Sequence, residues 1–343
     1  MKVLYVVRYW PTLTETFVMR EIEELRRRGH AVEVVAIGRR SDGELHDQIP
    51  LVKVQYPPKF PWRSWRLRSK AHWKVALRQG WLAELAKQGF DRIHAHFAGE
   101  AAEWARHAAT AAGIPFSVTV HGVDLFKPRV DTAQVLRAAD KVLAISAHHA
   151  RWLHENYGIS SVILRCGVPE NVPVAAHRER KVRVVSVGRN VPKKGLDLLV
   201  RAAREFPDWE FRIVSDLPSS LGVTTGFLPP SQIPALLAES DLFVLPCRIA
   251  EDGDRDGIPV ALMEAMAAGL PVISTTVSGI PELVDAAVGW CVPSDDFEAL
   301  MAAMREAGVV RERARRGAAA RARILEDRWT LSRQVDELLA AWG

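Results

Sequence analysis

Asp256 and Glu264 stand eight residues apart, with a Gly-Ile-Pro turn (Gly257, Ile258, Pro259) between them. Carboxylates accept hydroxyl protons, and a helix N-terminus behind a glycine-containing loop attracts an anion. The group therefore suits a ligand with both hydroxyls and phosphates. Glu264 interrupts an apolar segment, Val260 to Ala268, that predicts a helix buried on all sides. A buried carboxylate stays ionised only with hydrogen-bond partners. Capping a neighbouring loop and contacting a ligand both remain open for it. A second constellation is cationic: Arg189, directly after Gly188, is followed by Lys194 across four residues, in the loop after a predicted strand, Val182 to Val187. A guanidinium forks onto phosphate oxygens and an ammonium adds a point charge, which suits a diphosphate. His96 and His121 each stand at the end of a predicted strand, a good place for chemistry, although a lone histidine there is more often a packing residue.

The elements that must position these residues alternate. Val3 to Val7, a helix from Thr14 to Arg28 closed by Gly29, and Val32 to Ile37 make a β-α-β opening. Asp91 to His96, Phe116 to Val120 and Lys141 to Ile145 read as further strands, with Ser146 capping the next helix. Arg165 to Val168 and the polar stretch through Lys181 read as a linker, after which the alternation restarts with Val182 to Val187, Phe211 to Ser215 and Leu242 to Leu245. Pro259 and Gly269 with Pro271 punctuate the helix carrying Glu264, and Val272 to Thr275 follows as a buried strand. The chain ends in helices over Glu298 to Ala307, Arg311 to Leu325 and Thr330 to Trp342. The pattern predicts two doubly wound α/β domains, 1–168 and 181–327, whose loops at the strands' carboxyl ends carry the chemistry. No Gly-x-Gly-x-x-Gly follows either first strand, which argues against a nicotinamide dehydrogenase.

An acid, seven residues, then Glu-Ala-Met-Ala-x-Gly-x-Pro-Val-Ile-x-Thr resembles the donor-binding signature of the retaining glycosyltransferases of family 4, which have the GT-B fold. Gly-Ile-Pro after the first acid, and Pro11 to Phe17 (PTLTETF), resemble the exopolysaccharide and colanic-acid-type branch. Gly188 to Gly195 resembles the family's Gly-Arg-x-x-x-x-Lys-Gly element. The resemblance implies two Rossmann-like domains facing across a cleft, with the last helix, about 328–343, returning to the first domain. It implies a nucleotide sugar as donor. Asp256 (usually Glu in the family) and the turn through Gly257, Ile258 and Pro259 would hold the sugar, Glu264 the ribose, and Gly188, Arg189 and Lys194 the departing diphosphate. His121 matches a Thr-x-His position near the transferred sugar. His96 matches a second position, on the acceptor side, where Thr14 and Glu15 are also candidates; those two could equally be a helix cap. The function implied is transfer of a hexose, with retention, to a glycan or lipid-linked acceptor in exopolysaccharide or cell-surface polysaccharide synthesis. The alternative is a non-catalytic sugar-nucleotide-binding partner of the same fold.

At 343 residues, 48% hydrophobic and 25% charged, the chain has the composition of a globular protein of two domains. Residues 1–180 carry 27 Lys and Arg against 18 Asp and Glu, residues 181–343 carry 19 against 23, and the whole is +5. A basic first half suggests an anionic partner; without helix-turn-helix, zinc-finger or RNA-binding patterns, nucleic acid is not that partner. Lys59 to Trp81 concentrates seven basic residues and four tryptophans with no acid. This is the pattern of an interfacial membrane helix, or of a surface helix whose Trp side packs on its own domain. No run is long enough to span a bilayer, and five apolar residues before Arg8 are too few for a secretory signal, which predicts a cytoplasmic protein, peripheral on the membrane if 59–81 binds it. Cys166, Cys247 and Cys291 are too few and too scattered for a disulfide framework or a zinc site. Asp252 and Asp254 form an Asp-x-Asp, but the cationic pair already serves a diphosphate. They are read as a solvated loop, and neither metal nor other cofactor is expected.

Overall fold

The computed structural model describes residues 1–39, 47–58, 70–128, 130–176, 181–218, 223–327 and 329–343, with the backbone alone at 70–75. The chain divides into two compact units. The first comprises Met1–Ala144, Leu153–Val162 and Ala341–Gly343; the second comprises Ile145–Trp152 and Ile163–Ala340.

Among the described residues the first sheet has seven strands: β1 (Lys2–Tyr9), β2 (Ala31–Gly38), β3 (Lys53–Gln55), β4 (Arg92–His96), β5 (Phe116–Val120), β6 (Lys141–Ala144) and β7 (Val162–Ile163). Their order is β3-β2-β1-β4-β5-β6-β7, and β1 pairs in parallel with both β2 and β4. Chain order therefore reverses between β1 and β4, the switch point where ligands bind in such sheets. The centre is covered by Glu100–Ala112, a helix whose buried face is mostly alanine, with Trp104. Small side chains let a helix lie close to the sheet, and Trp104 supplies the volume they lack.

β4 and β5 are buried along their whole length yet contain polar residues. Side chains alternate with period two, so Arg92, His94 and His96 share one face of β4. Register sets His94 beside Tyr5 of β1 and Ser117 of β5, and His96 beside Thr119. One sheet face thus carries a polar row across three central strands, and buried polar atoms require partners.

The second sheet has six strands among the described residues: β8 (Arg183–Val187), β9 (Glu210–Val214), β10 (Thr224–Gly226), β11 (Leu242–Val244), β12 (Val272–Thr275) and β13 (Gly289–Val292). Their order is β10-β9-β8-β11-β12-β13, again with parallel pairing. The reversal here lies between β8 and β11, whose loops carry Arg189 with Lys194 and Asp256 respectively.

The chain passes between the units earlier than the predicted linker. Ile145–Trp152 belongs to the second unit because of what it touches there. The Glu282 carboxylate accepts N–H bonds from Ala147 and His148 at 3.0 and 2.8 Å, and Ser146 Oγ accepts the N–H of His149 at 3.1 Å, as the predicted cap requires. Further on, a Cβ on Gly167 would lie 2.3 Å from the Thr330 carbonyl oxygen, so the backbone passes against the start of the helix Leu331–Trp342. That helix ends in the first unit, where Arg92 donates to the Trp342 carbonyl at 3.0 Å and the Trp342 ring lies 5.3 Å from His94.

Candidate active site

In the second unit, the loop after β8 closes with one 3-10 turn, Pro192–Lys194. Gly195 ends it at φ +62°, and a Cβ there would come within 2.0 Å of the Pro246 carbonyl oxygen. Only glycine permits this approach, which pins the turn against the segment leaving β11. Two ammonium groups result beside one carboxylate. Lys194 Nζ lies 2.7 Å from Asp256 Oδ2, and Lys193 Nζ lies 3.5 Å from Asp256 Oδ1 and 3.0 Å from Asp254 Oδ1. Burial would raise the Asp256 carboxyl, but Lys194, then Lys193 and Arg189, hold it below the ordinary aspartate value. Burial likewise works against the Lys194 charge, and Asp256 overrides it, so the ammonium titrates above the ordinary lysine value. The Cys247 thiol, 3.8 Å from Asp256, is pushed up to about 12 by burial and by the Asp256 charge; it stays a neutral donor. Arg189 is exposed on the same loop.

The loop before Asp256 is tied down. Arg248 N–H donates to the Lys193 carbonyl at 2.9 Å, and its guanidinium binds Asp197 and Asp295 at 2.9 and 3.0 Å. Asp254 is therefore not the solvated residue predicted for it: it is half-buried and paired with a buried lysine. Asp252 is exposed and accepts the Asp254 N–H at 3.1 Å. Gly257 is required by packing, since a Cβ would lie 2.6 Å from His149 Cε1 and 2.7 Å from Ile145 Cδ1. Ile258 and Pro259 are buried, and Pro259 is the N-cap of the helix Val260–Ala267.

Glu264 differs from its predicted burial. It is half-buried, as are Val260 and Ala261, while Leu262, Met263, Ala265, Met266 and Ala267 are buried. Positions i, i+1 and i+4 share a helix face. One short strip of this helix therefore stays partly open, and Glu264 stands on it.

In the first unit, His96 and His121 meet, with His96 Nδ1 3.1 Å from His121 Nε2. His96 Nε2 lies 3.0 Å from Glu21 Oε1, which also accepts from the Tyr5 hydroxyl at 2.6 Å. Phe17 and Phe97 face the His121 ring at 4.7 and 4.4 Å. The Asp124 carboxylate accepts the backbone N–H groups of His121 and Ala98 at 3.0 and 2.9 Å; burial raises its pKa to about 6, against those hydrogen bonds. The helix Thr16–Arg27 thus meets the histidines through Phe17 and Glu21. Thr14 is exposed, and Glu15 sits at the N-cap without a side-chain cap bond, so the alternative reading of these residues as a side-chain helix cap is not met.

Glu21, His94 and His96 place ligand-type atoms within 4.8 Å of one another. Those atoms are already committed. His94 Nδ1 and Nε2 bond Ser117 Oγ and Thr119 Oγ1 at 2.9 and 3.2 Å, and burial lowers the His94 pKa to about 3. The three form the hydrogen-bonded core of the polar row.

Glu21, Lys193 and Asp124 were not among the predicted site residues. Glu21 left a signal: Phe17, Val18, Ile22 and Leu25 are the buried stripe of their helix, and Glu21 occupies an apolar position within it. Lys193 was hidden beside Lys194, and one sequence cannot say which of two adjacent lysines turns inward.

Residues 14–172 match the family described as Glycosyltransferase Family 4, and residues 181–307 match the one described as Glycosyl transferases group 1. A putative colanic acid biosynthesis glycosyltransferase, WcaL, of Salmonella typhimurium is 30% identical, covering 89% of this chain and 90% of its own. The chain belongs to glycosyltransferase family 4. The amylovoran biosynthesis glycosyltransferase AmsK of Erwinia amylovora is 33% identical to this glycosyltransferase over 61% of the chain and 59% of its own length. Among solved structures, HepE of Anabaena in complex with UDP-glucose aligns with TM-score 0.76 at 19% identity, covering 99% of this chain and 100% of that one. The glycosyltransferase thus has the GT-B fold of two Rossmann-like domains. Among its described residues no helix is long and apolar enough to cross a membrane.

Proposed function

We propose that this glycosyltransferase moves a hexose from a nucleotide-diphosphate sugar to a glycan or lipid-linked acceptor, with retention of configuration, in the synthesis of an exopolysaccharide or other cell-surface polysaccharide. The observation that carries the donor assignment is the cationic cluster at the switch point of the second sheet: Lys194 and Lys193 with Arg189 on the same loop. Such a cluster neutralises a departing diphosphate as its charge develops. Asp256 and the turn Gly257–Pro259 are assigned to the sugar, Gly188 to the diphosphate, and Glu264, on its half-open strip, to the ribose hydroxyls. In the first unit His121 is assigned to the sugar, and His96, with Thr14 and Glu15, to the acceptor side. The acceptor hydroxyl attacks from the face that the nucleotide leaves, which keeps the anomeric configuration. Three cationic side chains take the place of a bridging ion, so the reaction is assigned no metal or other cofactor. The names of the relatives, colanic acid and amylovoran enzymes, support the polysaccharide class, and the UDP-glucose bound to HepE supports the donor class.

Thermal melting against UDP, GDP, ADP and their sugars tests the donor reading, because only a ligand that binds the native state raises the melting temperature. One nucleotide series should raise it, and transfer of its sugar should persist in excess EDTA. No shift with any of them would sink the donor site. Loss of transfer in EDTA, restored by Mg²⁺ or Mn²⁺, would bring a metal, and Asp252 with Asp254, into it.

A further inference from the structure

Two lysines reach one carboxylate at the switch point of the second sheet, each on its own oxygen: Lys194 on Asp256 Oδ2 and Lys193 toward Asp256 Oδ1. We propose that Lys193 is a positioning residue for the donor: its ammonium keeps Asp256 compensated, so that Lys194 can give its charge to a diphosphate. This rests on the assignment of Lys194 to the diphosphate and extends it.

The two lysines are neighbours in sequence, yet their surroundings differ. Successive side chains of a 3-10 turn project about 120° apart. The Lys194 stem runs along Gly188, where a Cβ would lie 3.5, 3.6 and 3.7 Å from its Cδ, Cε and Cγ. Gly188 opens the loop after β8, the loop assigned to the diphosphate. Lys193 turns instead to the acidic loop. Its Nζ is 3.0 Å from Asp254 Oδ1, closer than the 3.5 Å to Asp256, and its side chain is only 8% exposed. Its carbonyl accepts the Arg248 N–H at 2.9 Å. Asp254 is held in turn. Its carbonyl accepts the Ala250 N–H at 2.9 Å, the Gly253 N–H donates to the Ala250 carbonyl at 2.8 Å, and its own N–H donates to Asp252 at 3.1 Å. Lys193 is thus fixed at both ends, by the turn that carries it and by the loop that receives it.

Charge shows what that anchoring achieves. An ammonium has three donors but one charge to share. With Lys194 as its sole counter-ion, Asp256 would be left buried and uncompensated whenever that charge moved to a phosphate, a costly arrangement. Lys193 removes this penalty because Asp254 keeps it beside Asp256. Burial would raise the Asp256 carboxyl, and Lys194, then Lys193 and Arg189, outweigh it. The Cys247 thiol adds a neutral donor at 3.8 Å from Oδ2. Lys193 therefore serves the cationic cluster at one remove, by weakening the hold of Asp256 on Lys194.

The test is a double-mutant cycle read by titration calorimetry of the full chain at neutral pH. The probe is the nucleoside diphosphate that gives the largest melting shift; it lacks the sugar, so the sugar contact of Asp256 does not enter. Lys193→Gln should weaken its binding by about tenfold or more, because Lys194 is then tied to Asp256 alone. Asp256→Asn releases Lys194 and should bind the probe at least as tightly as wild type. In that background Lys193→Gln should change binding by no more than about twofold. Equal weakening in both backgrounds would mean that Lys193 meets the phosphates itself or only shapes the turn, and the positioning role is overturned. Unchanged binding in folded Lys193→Gln overturns it too. If Lys193→Gln does not fold, Asp254→Asn decides: it leaves Lys193 to Asp256 alone and should tighten binding, an effect that disappears when Asp256→Asn is added. Weaker binding by Asp254→Asn, or tightening that survives Asp256→Asn, overturns the role. Each of these outcomes leaves the donor site standing, whereas a native chain that binds no nucleoside diphosphate loses the donor site and the positioning role together.

Discussion

Lys194 and Asp256 satisfy each other at 2.7 Å, so under the proposed donor assignment a diphosphate would compete with a carboxylate for the same ammonium. Arg189 carries no such burden: it is exposed on the same loop. Arg189→Ala should therefore leave stability within about 0.5 kcal/mol and lower turnover by about 10²-fold or more. Lys194→Ala should lower turnover as much and also destabilise, since it leaves the Asp256 charge to Lys193 at 3.5 Å. Steady-state kinetics on variants checked by melting decide both, and near-normal transfer by folded Arg189→Ala would remove it from the donor site. The carboxylate side is tested by pH. Asp256 has a lowered folded pKa, so its stabilising contribution is present above the ordinary aspartate range and is lost as pH falls through the folded value. The melting gap between wild type and Asp256→Asn should stay constant from neutral pH down to about pH 4 and close below it. A gap that widens in acid would contradict the ion pair.

At the scale of elements, the site depends on a turn more than on a helix. Gly195 at φ +62° lets the Pro192–Lys194 turn meet the Pro246 carbonyl. An alanine there pays for both the left-handed backbone and the overlap. Gly195→Ala should cost about 2 kcal/mol or more, lowering the melting temperature by several degrees, and should weaken donor binding because both lysines ride on the turn. Unchanged melting and binding would show that the turn relaxes freely. The same elements explain what the sequence disclosed. Val182 to Val187 and Phe116 to Val120 are apolar or alternating runs bounded by polar loops, and the observed strands lie within a residue or so of them. β3, β7 and β10 have two or three residues each, too few to show a period, and the sequence reading has no counterpart for them. Glu264 was misread for a related reason. Its helix is apolar by composition, but composition cannot show that Val260, Ala261 and Glu264 line up on a half-open strip.

For the whole molecule, the excess positive charge lies in the first half, and Lys59 to Trp81 holds seven of its basic residues. Residues 59–69 and the side chains of 70–75 lie outside the described residues; the helix Lys70–Ala86 continues beyond them, with Leu77 and Trp81 half-buried. A lipid-linked acceptor would bring this stretch to an anionic leaflet, where each basic residue contributes about 1 kcal/mol until salt screens it. Anionic liposomes should therefore sediment the wild type, and changing Arg63, Arg66, Lys70 and Lys74 together to Glu should abolish this. Equal binding to neutral vesicles would favour the ordinary surface helix. The two-domain plan was legible in the restart of the strand-helix alternation, and Arg189, Lys194 and Asp256, the residues proposed for the donor, could be picked out because each sits in a short motif after a strand. The meeting of Glu21, His96 and His121 was not, because they come from three elements that only the fold of the first unit brings together. One further property belongs to the order of synthesis. Arg92 and Trp342 are bonded although 250 residues separate them. At 5–20 residues per second, a ribosome needs on the order of 10–50 s to add that much chain. For that interval the nascent first unit has its imidazoles in sequence but not the indole that closes over His94, so vectorial folding finishes its oldest domain last.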